Sequence, residues 1–171
     1  AAKDDPLQAM WELAHFYKRC GKLEQAMQHF RQMLQSAGDL EAKAQVVLSL
    51  GQTAEKAGDF EMAAGFYQQA LTMEPANSFT WYFILNNLGY SLNHLKRFTE
   101  GEGHCRHAIT INPLQHNAHK NLGLAYPNLA QLAQAQKSLQ QAVRLEPKDP
   151  QTRYALCVYY AKTGDAQAAN R

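Results

Sequence analysis

Histidine and cysteine are the residues of this sequence best suited to hold a metal ion. Five of the seven histidines lie between His94 and His119, and His104, Cys105 and His107 are close together within that stretch. Imidazole and thiolate are ligands that zinc and nickel accept. The spacing matches no recognised ligand motif, and the histidines fall on two different predicted helices. We therefore predict no metal site, and metal binding by this histidine-rich stretch stays open as the alternative.

Nucleophilic catalysis would need a thiol or hydroxyl beside a base, and Cys105 with His104 is the candidate pair. Adjacent residues of a helix point about 100° apart, so the His104 ring cannot easily reach the thiol. The run Gly101-Glu102-Gly103 is not a phosphate-binding loop, because no predicted strand precedes it and the wider motif is missing. The sequence also has no P-loop, HExxH or GxSxG motif. We predict that the chain is not an enzyme and has no catalytic residue and no cofactor.

Composition and charge indicate a helical globular protein. The 171 residues are 46% hydrophobic and 19% charged, with a formal net charge of +2. Ala, Leu and Gln are abundant, which favours helix. The net charge is too small to predict nucleic-acid binding, and no apolar run is long enough to predict membrane insertion. The half from Ser78 to Arg171 has ten Lys and Arg against five Asp and Glu, which favours an acidic partner.

The cysteines bear on the location of the protein. They are three in number and widely spaced, which disfavours a disulfide framework. We expect a cytoplasmic protein, and an exported or periplasmic one stays open. The first residue is Ala1 rather than Met, so we expect that a preceding segment was removed or left out.

A pattern with a period of about 34 residues runs through the chain. It contains the pairs Leu50-Gly51, Leu88-Gly89 and Leu122-Gly123. A proline follows each of these glycines 24 residues later, at Pro75, Pro113 and Pro147. A small residue lies twelve positions before each proline, at Ala63, Gly101 and Ala135. A weaker copy precedes these three, and a partial copy follows them.

The Leu-Gly pair, a later Tyr, an Ala with an aromatic residue four positions on and a closing Pro resemble the tetratricopeptide repeat. The resemblance implies an all-α fold, a right-handed superhelical solenoid of antiparallel helix pairs with four repeats plus a partial fifth. It implies a single domain over residues 1–171. The repeats are expected at 7–40, 44–77, 82–115 and 116–149, with the partial one at 150–171. The character of the third and fourth repeats suggests a bacterial source.

The same resemblance predicts how the helices pack. Glycines of the Leu-Gly pairs and the small residues Ala26, Ala63 and Ala135 are expected where paired helices cross closely. Gly101 and Cys105 replace the usual Ala and aromatic residue, so the third pair is expected to pack less tightly. Pro127 is expected to kink or end its helix near Tyr126. A polar capping helix is missing, so either residues 165–171 fray or, as we favour, the chain is part of a longer protein.

In this family the first helices of the repeats line a concave groove, so the resemblance implies binding residues there. Asn87 and Asn121 each precede Leu-Gly, and a carboxamide can both donate to and accept from a peptide backbone. Lys120 could hold an Asp, a Glu or a terminal carboxylate. The predicted peptide-binding groove consists of Phe83, Asn86, Asn87, Tyr90, Asn117, Lys120, Asn121, Leu124 and Tyr154.

These features predict a protein-interaction scaffold or adaptor that binds an extended peptide or a partner helix. One alternative is self-assembly into a homo-oligomer through the last repeat, centred on Tyr154, Val158 and Tyr159. Another is an accessory interaction domain of a larger enzyme. A clamp for the acidic tails of heat-shock chaperones is not predicted, because Lys120 and Asn121 are isolated parts of the basic set that such a clamp requires.

Overall fold

The computed structural model describes residues 6–164, and over this range the chain forms helices and turns but no strand. The expected fraying of residues 165–171 lies outside the described residues. No helix of the described range is long and apolar enough to cross a membrane. The nine α-helices of this range are α1 Pro6–Arg19, α2 Leu23–Ser36, α3 Leu40–Lys56, α4 Phe60–Leu71, α5 Ser78–His94, α6 Phe98–Ile111, α7 His116–Ala125, α8 Leu132–Leu145 and α9 Pro150–Thr163.

Consecutive helices form pairs, and the pairs stack along the chain. The pairs are α1 with α2, α3 with α4, α5 with α6 and α7 with α8, and the second helix of each pair also packs on the following helix. The first helices α3, α5, α7 and α9 contact one another in that order. This is the predicted all-α solenoid of helix pairs.

Helix ends follow local sequence signals. Asp39 begins α3 by accepting a hydrogen bond from the backbone N–H of Ala42 at 2.7 Å, and Asn77 begins α5 by accepting one from Phe79 at 2.8 Å. Such caps satisfy N–H groups that the first helical turn leaves without a partner. These two caps therefore determine where α3 and α5 begin.

Prolines close helices as predicted. α6 ends at Ile111, two residues before Pro113. α7 ends at Ala125, two residues before Pro127, and continues as a short 3-10 turn over Tyr126–Leu129. Proline has no N–H for the helical hydrogen bond and disfavours helix in the residue before it. The prediction that Pro127 ends its helix near Tyr126 is confirmed.

Glycines lie at the close crossings of paired helices, as the repeat pattern predicted. A Cβ atom added at Gly51 would overlap the ring of Tyr67, and one added at Gly123 would overlap the side chain of Leu139. Tyr67 and Leu139 are fully buried, so neither can move aside without disturbing the core. The small residues on the second helices are also fully buried, at Ala26, Ala63 and Ala135.

The pair α5 and α6 packs closely, so the expectation of looser packing there is wrong. A Cβ atom added at Gly101 would lie 2.9 Å from the backbone oxygen of Gly89, and one added at Gly89 would lie 3.0 Å from the backbone oxygen of Gly101. Cys105 is fully buried against Gly89. Because neither glycine carries a Cβ atom, the two backbones meet directly.

The hydrophobic core lies between neighbouring pairs. Phe30 of α2 packs in one cluster with Leu50 of α3, and Tyr67 of α4 packs in another with Leu88 of α5. All four side chains are fully buried. Burying a large apolar side chain stabilises a fold by roughly 1.5–3 kcal/mol. Each pair therefore depends on its neighbours for stability, as expected of stacked repeats.

His15 makes the stability of the first pair depend on pH. Its ring lies 4.6 Å from the ring of Trp11 and 5.1 Å from that of Phe30, measured between centroids. Burial, together with the charges of Lys18 and Arg19, lowers the pKa of His15 from 6.5 to about 4. The unfolded chain therefore takes up this proton at a higher pH than the folded chain does. Its effect on stability is absent above pH 6.5, and the free energy of unfolding decreases as the pH falls from 6.5 to 4.

Replacing His15 with Phe is expected to remove the loss of unfolding free energy that His15 causes at low pH, while keeping the aromatic contacts. Between pH 7 and pH 4.5 the variant should lose about 1–2 kcal/mol less unfolding free energy than the original chain, a value reduced for the partial exposure of the ring. Urea denaturation at the two pH values measures the difference. Other titrating groups are common to both proteins, so an equal pH dependence would contradict the assignment.

Candidate functional site

The first helices α5, α7 and α9 form the floor of an open groove, which we call the concave groove. Its central cavity, of about 410 Å³, extends over α5 and α7, and its terminal cavity, of about 440 Å³, lies towards α9. The nine residues predicted from the sequence lie together along these two cavities. The central cavity is lined by Phe83, Asn86, Asn87, Tyr90, Asn117, Lys120 and Asn121. The terminal cavity is lined by Tyr90, Lys120, Leu124 and Tyr154.

The predicted residues form two layers. The outer layer is accessible: Phe83 is 37% exposed and Tyr154 is 72% exposed. Leu124 is also exposed, and the outer layer is completed by the half-buried side chains of Asn87, Tyr90 and Asn117. The inner layer consists of the buried residues Asn86, Lys120 and Asn121. A ligand in the groove would therefore meet aromatic rings and two carboxamides first.

A relay of three carboxamides joins the third and fourth pairs beneath the groove. Asn121 Nδ2 donates to Asn86 Oδ1 at 3.0 Å, and Asn86 Nδ2 donates to Asn87 Oδ1 at 2.9 Å. Asn93 Nδ2 adds a hydrogen bond to the backbone oxygen of Asn121 at 3.0 Å. Asn121 is only 2% exposed, and its donor group is already used within the chain. Its carboxamide is therefore part of the packing between repeats, whereas that of Asn87, at the other end of the relay, is only half-buried.

Lys120 is paired within the chain, which corrects the expectation of a cation available to a ligand. Its Nζ lies 3.4 Å from Asp149 Oδ2 and donates to Gln151 Oε1 at 3.1 Å. Lys120 is 7% exposed. Burial alone would raise the pKa of Asp149, but hydrogen bonds from Thr152 and the charge of Lys120 lower it to about 2. Asp149 is thus ionised at neutral pH and compensates the ammonium charge.

Glu55 of α3 lines the central cavity, although the sequence pattern did not single it out. Its carboxylate accepts a hydrogen bond from the Tyr67 hydroxyl at 2.9 Å. Burial raises the pKa of Glu55, while this hydrogen bond and the charge of Lys18 act in the opposite direction. Gln52 of α3 also lines the central cavity, and Glu55 lies three positions after it. Residues three positions apart share a helix face, so this spacing could have predicted Glu55 from the sequence.

The histidine-rich stretch is spread over separate surroundings. His94 stacks on Phe60 with ring centroids 4.0 Å apart. His116 Nε2 lies 3.5 Å from Asp149 Oδ2, and His119 Nε2 lies 3.0 Å from the backbone oxygen of Pro113. Within residues 6–164, no three His, Cys, Asp or Glu side chains are arranged to hold a metal ion.

Tyr159 does not belong to the exposed face of α9 on which the self-assembly alternative depended. It is 8% exposed, and its hydroxyl donates to the backbone oxygen of Leu132 at 2.9 Å. Tyr154 remains strongly exposed, and Val158 is half-buried along the terminal cavity. That face is therefore smaller than the sequence suggested.

Comparison with solved structures identifies the same fold in other proteins. MamA from Desulfovibrio magneticus RS-1 is 20% identical, with a TM-score of 0.75 over 99% of this chain and 92% of that chain. PilF from Pseudomonas aeruginosa is 23% identical, with a TM-score of 0.77 over 96% of this chain and 72% of that chain. The Hsp90 co-chaperone Cns1 from Saccharomyces cerevisiae is 22% identical, with a TM-score of 0.69 over 79% of this chain and 44% of that chain.

Comparison with family models gives the assignment at sequence level. A tetratricopeptide repeat model matches residues 5–75, and a second model of the same description matches residues 117–149. No curated protein matches the sequence. The matched segments contain the first two helix pairs and the fourth, including the Leu-Gly pairs at Gly51 and Gly123 and the prolines Pro75 and Pro147. The chain is therefore a member of the tetratricopeptide repeat family.

Proposed function

We propose that this chain is a protein-interaction scaffold or adaptor, without catalysis, whose concave groove binds an extended peptide or a helix of a partner protein. The observation that supports this best is the row of accessible aromatic rings along the two cavities. Phe83 and Tyr90 border the central cavity, and Tyr90 and Tyr154 border the terminal one. Such rings are typical anchors of protein interfaces. Cns1, which shares the fold, is described as a co-chaperone of Hsp90, and so acts with another protein.

The two cavities differ in the ligand that they favour. In the central cavity, Asn87 and Asn117 can exchange hydrogen bonds with the backbone of a ligand. The terminal cavity has mainly apolar walls, to which Leu124, Tyr154 and Val158 contribute. A ligand would therefore place polar backbone over α5 and an apolar side chain towards α9.

Charge gives little support for an acidic ligand in this groove. The expected attraction rested on Lys120, which Asp149 and Gln151 already bind. Glu55 adds a carboxylate to the central cavity. We therefore propose that aromatic contacts and amide hydrogen bonds carry the affinity of the concave groove.

Replacing Phe83 and Tyr90 together with Ala is expected to weaken a cognate partner about 30-fold or more, because two anchors of about 1 kcal/mol or more each are lost. Partners would be captured from native lysate on the immobilised chain and identified by mass spectrometry. The affinity of a purified partner would then be measured by isothermal titration calorimetry. Asn87→Ala should have a smaller effect in the same direction, whereas Asn121→Ala would also break the relay between repeats.

The matched control replaces Met62 and Leu114 with Ala, since both are exposed apolar residues that do not line the concave groove. This variant should bind as the original chain does. Circular dichroism verifies that both variants stay folded. A groove variant that binds as tightly as the control would refute the proposed site.

Self-association is the second candidate, and the 72% exposure of Tyr154 supports it. A second copy could cover Tyr154 and the neighbouring Val158. Sedimentation velocity over a range of concentrations tests this, with Tyr154→Ser as the variant. A strict monomer at high concentration would count against self-association and would leave peptide capture unaffected.

A further inference from the structure

A separate cavity of about 440 Å³ lies on the other side of α7, between α6 and α8. Its lining includes His119 and Leu122 of α7 and Tyr126 of the 3-10 turn that follows α7. At about 100° per residue these three point away from Lys120 and Leu124, which face the concave groove. We call this cavity the outer groove. It is physically separate from the proposed peptide site.

Cationic side chains surround the outer groove. α6 contributes Arg106, and α8 contributes Lys137 and Arg144. In the described part of the chain, no residue that lines the cavity is acidic. Glu102 lies beside it and binds Arg106, with Oε1 2.8 Å from the guanidinium Nε. The Arg106 guanidinium also lies 5.7 Å from the centre of the Tyr126 ring, so its position is fixed.

Lys137 and Arg144 are the cations available to a ligand. Both are exposed, and neither forms an ion pair or a hydrogen bond with any residue of the range 6–164. They are seven residues apart on α8, so they lie on one face and about 10.5 Å apart along the helix axis. Ser138 and Gln141 lie between them and also line the cavity, providing uncharged hydrogen-bonding groups.

We infer that the outer groove binds an acidic segment of a partner polypeptide. A chain in the polyproline II conformation advances about 3.1 Å per residue and repeats every three residues, so two carboxylates three residues apart lie on one face about 9.3 Å apart, close to the spacing of Lys137 and Arg144. The apolar side chain of Leu122 and the ring of Tyr126 suit the residues between the two carboxylates. Arginine binds carboxylate through paired hydrogen bonds, which adds geometric selectivity at Arg144.

The excess of Lys and Arg in the second half of the sequence thus provides accessible cations at the outer groove, rather than at Lys120. Three strong cations are too few for the broad basic face that nucleic acid usually requires. The inference goes beyond the proposed function and does not depend on it. Both grooves could be occupied at once, because α7 presents opposite faces to them.

The test uses a short fluorescein-labelled peptide with a central Glu-Ala-Ala-Glu flanked by Gly and Ser. Fluorescence anisotropy at low salt should show that Lys137→Gln combined with Arg144→Gln weakens binding about tenfold, the sum of two partly exposed charge pairs. The matched control combines Arg31→Gln with Lys148→Gln, which removes the same net charge from exposed positions elsewhere. The control should change the dissociation constant by less than about twofold, and added salt should weaken binding to the original chain.

Further arms distinguish binding at the outer groove from general charge attraction and from binding elsewhere on the chain. A Gln-Ala-Ala-Gln peptide should not bind measurably, and equal binding would overturn the inference. Equal weakening in the test and control variants would also overturn it, since only net charge would matter. Displacement of the probe by millimolar inorganic phosphate would overturn the inference of an acidic polypeptide, because the outer groove would then be a site for a small oxyanion. The Phe83→Ala, Tyr90→Ala variant should bind the probe unchanged, and a loss there would put the acidic ligand in the concave groove instead.

Discussion

Gly89→Ala is expected to lower the free energy of unfolding by about 2 kcal/mol. The added Cβ atom would overlap Cys105 Sγ and would lie 3.0 Å from the backbone oxygen of Gly101 and 3.3 Å from the backbone nitrogen of Cys105. Backbone atoms cannot rotate away, so α5 and α6 would have to separate. Overpacking of this kind costs about 1–3 kcal/mol or more, and the better helix propensity of Ala offsets at most about 1 kcal/mol.

The matched control is Gly103→Ala, which adds the same methyl group to α6. Nothing lies within 4 Å of a Cβ atom at Gly103, so this variant should gain about 0.5–1 kcal/mol from helix propensity alone. Urea denaturation followed by circular dichroism measures both changes. Opposite signs are the expected result, and a neutral Gly89→Ala would show that the two helices can separate at little cost.

The second large effect is expected at Asp149, whose carboxylate stabilises two features at once. It compensates the charge of Lys120, and it begins α9 by accepting hydrogen bonds from the backbone N–H groups of Gln151 and Thr152. Asp149→Ala leaves the buried ammonium of Lys120 with Gln151 as its remaining partner and removes the helix cap. A broken buried pair costs about 3–5 kcal/mol and a lost cap about 0.5–2 kcal/mol. Because Asp149 is partly accessible, we expect a total loss of about 3–4 kcal/mol.

Lys120→Met separates the two roles of Asp149. This change removes the charge but keeps the volume of the side chain, and the carboxylate keeps its hydrogen bonds from Thr152. Because Asp149 keeps these hydrogen bonds and is more accessible than Lys120, its uncompensated charge should cost less than that of Lys120 does, about 1–2 kcal/mol. Urea denaturation at pH 7 measures both losses. Equal losses in Asp149→Ala and Lys120→Met would contradict the claim that the buried charge of Lys120 needs Asp149 to compensate it.

The order of the elements could be predicted because the pattern is local. A glycine where two helices cross and a proline that ends a helix both act within one repeat. Gly51 therefore predicted the close crossing of α3 and α4, and Pro113 predicted the end of α6. The close approach of α5 and α6 could not be predicted in this way. The sequence shows that Gly101 has no side chain. Whether α5 then moves closer to α6 depends on the packing of the whole helix pair.

The positions of the groove residues followed from helical spacing, whereas their accessibility did not. Lys120 and Asn121 lie on the expected face of α7, yet their charge and donor groups are used by Asp149 and Asn86. Asp149 begins the following helix α9, 29 positions from Lys120, and Asn86 lies in the preceding repeat, 35 positions from Asn121. Contacts over such distances depend on how the repeats stack, which local periodicity does not specify.

The carboxamide relay beneath the concave groove has a consequence for the entropy of binding. Asn87 is held by Asn86, and Asn86 is held by Asn121, so the outermost carboxamide has a fixed orientation before a ligand arrives. Ordering a mobile side chain at an interface costs about 0.5–1.5 kcal/mol, and a preorganised side chain avoids most of that cost. The buried Asn121 of the fourth repeat thus helps to preorganise Asn87 of the third repeat, which a ligand would meet first.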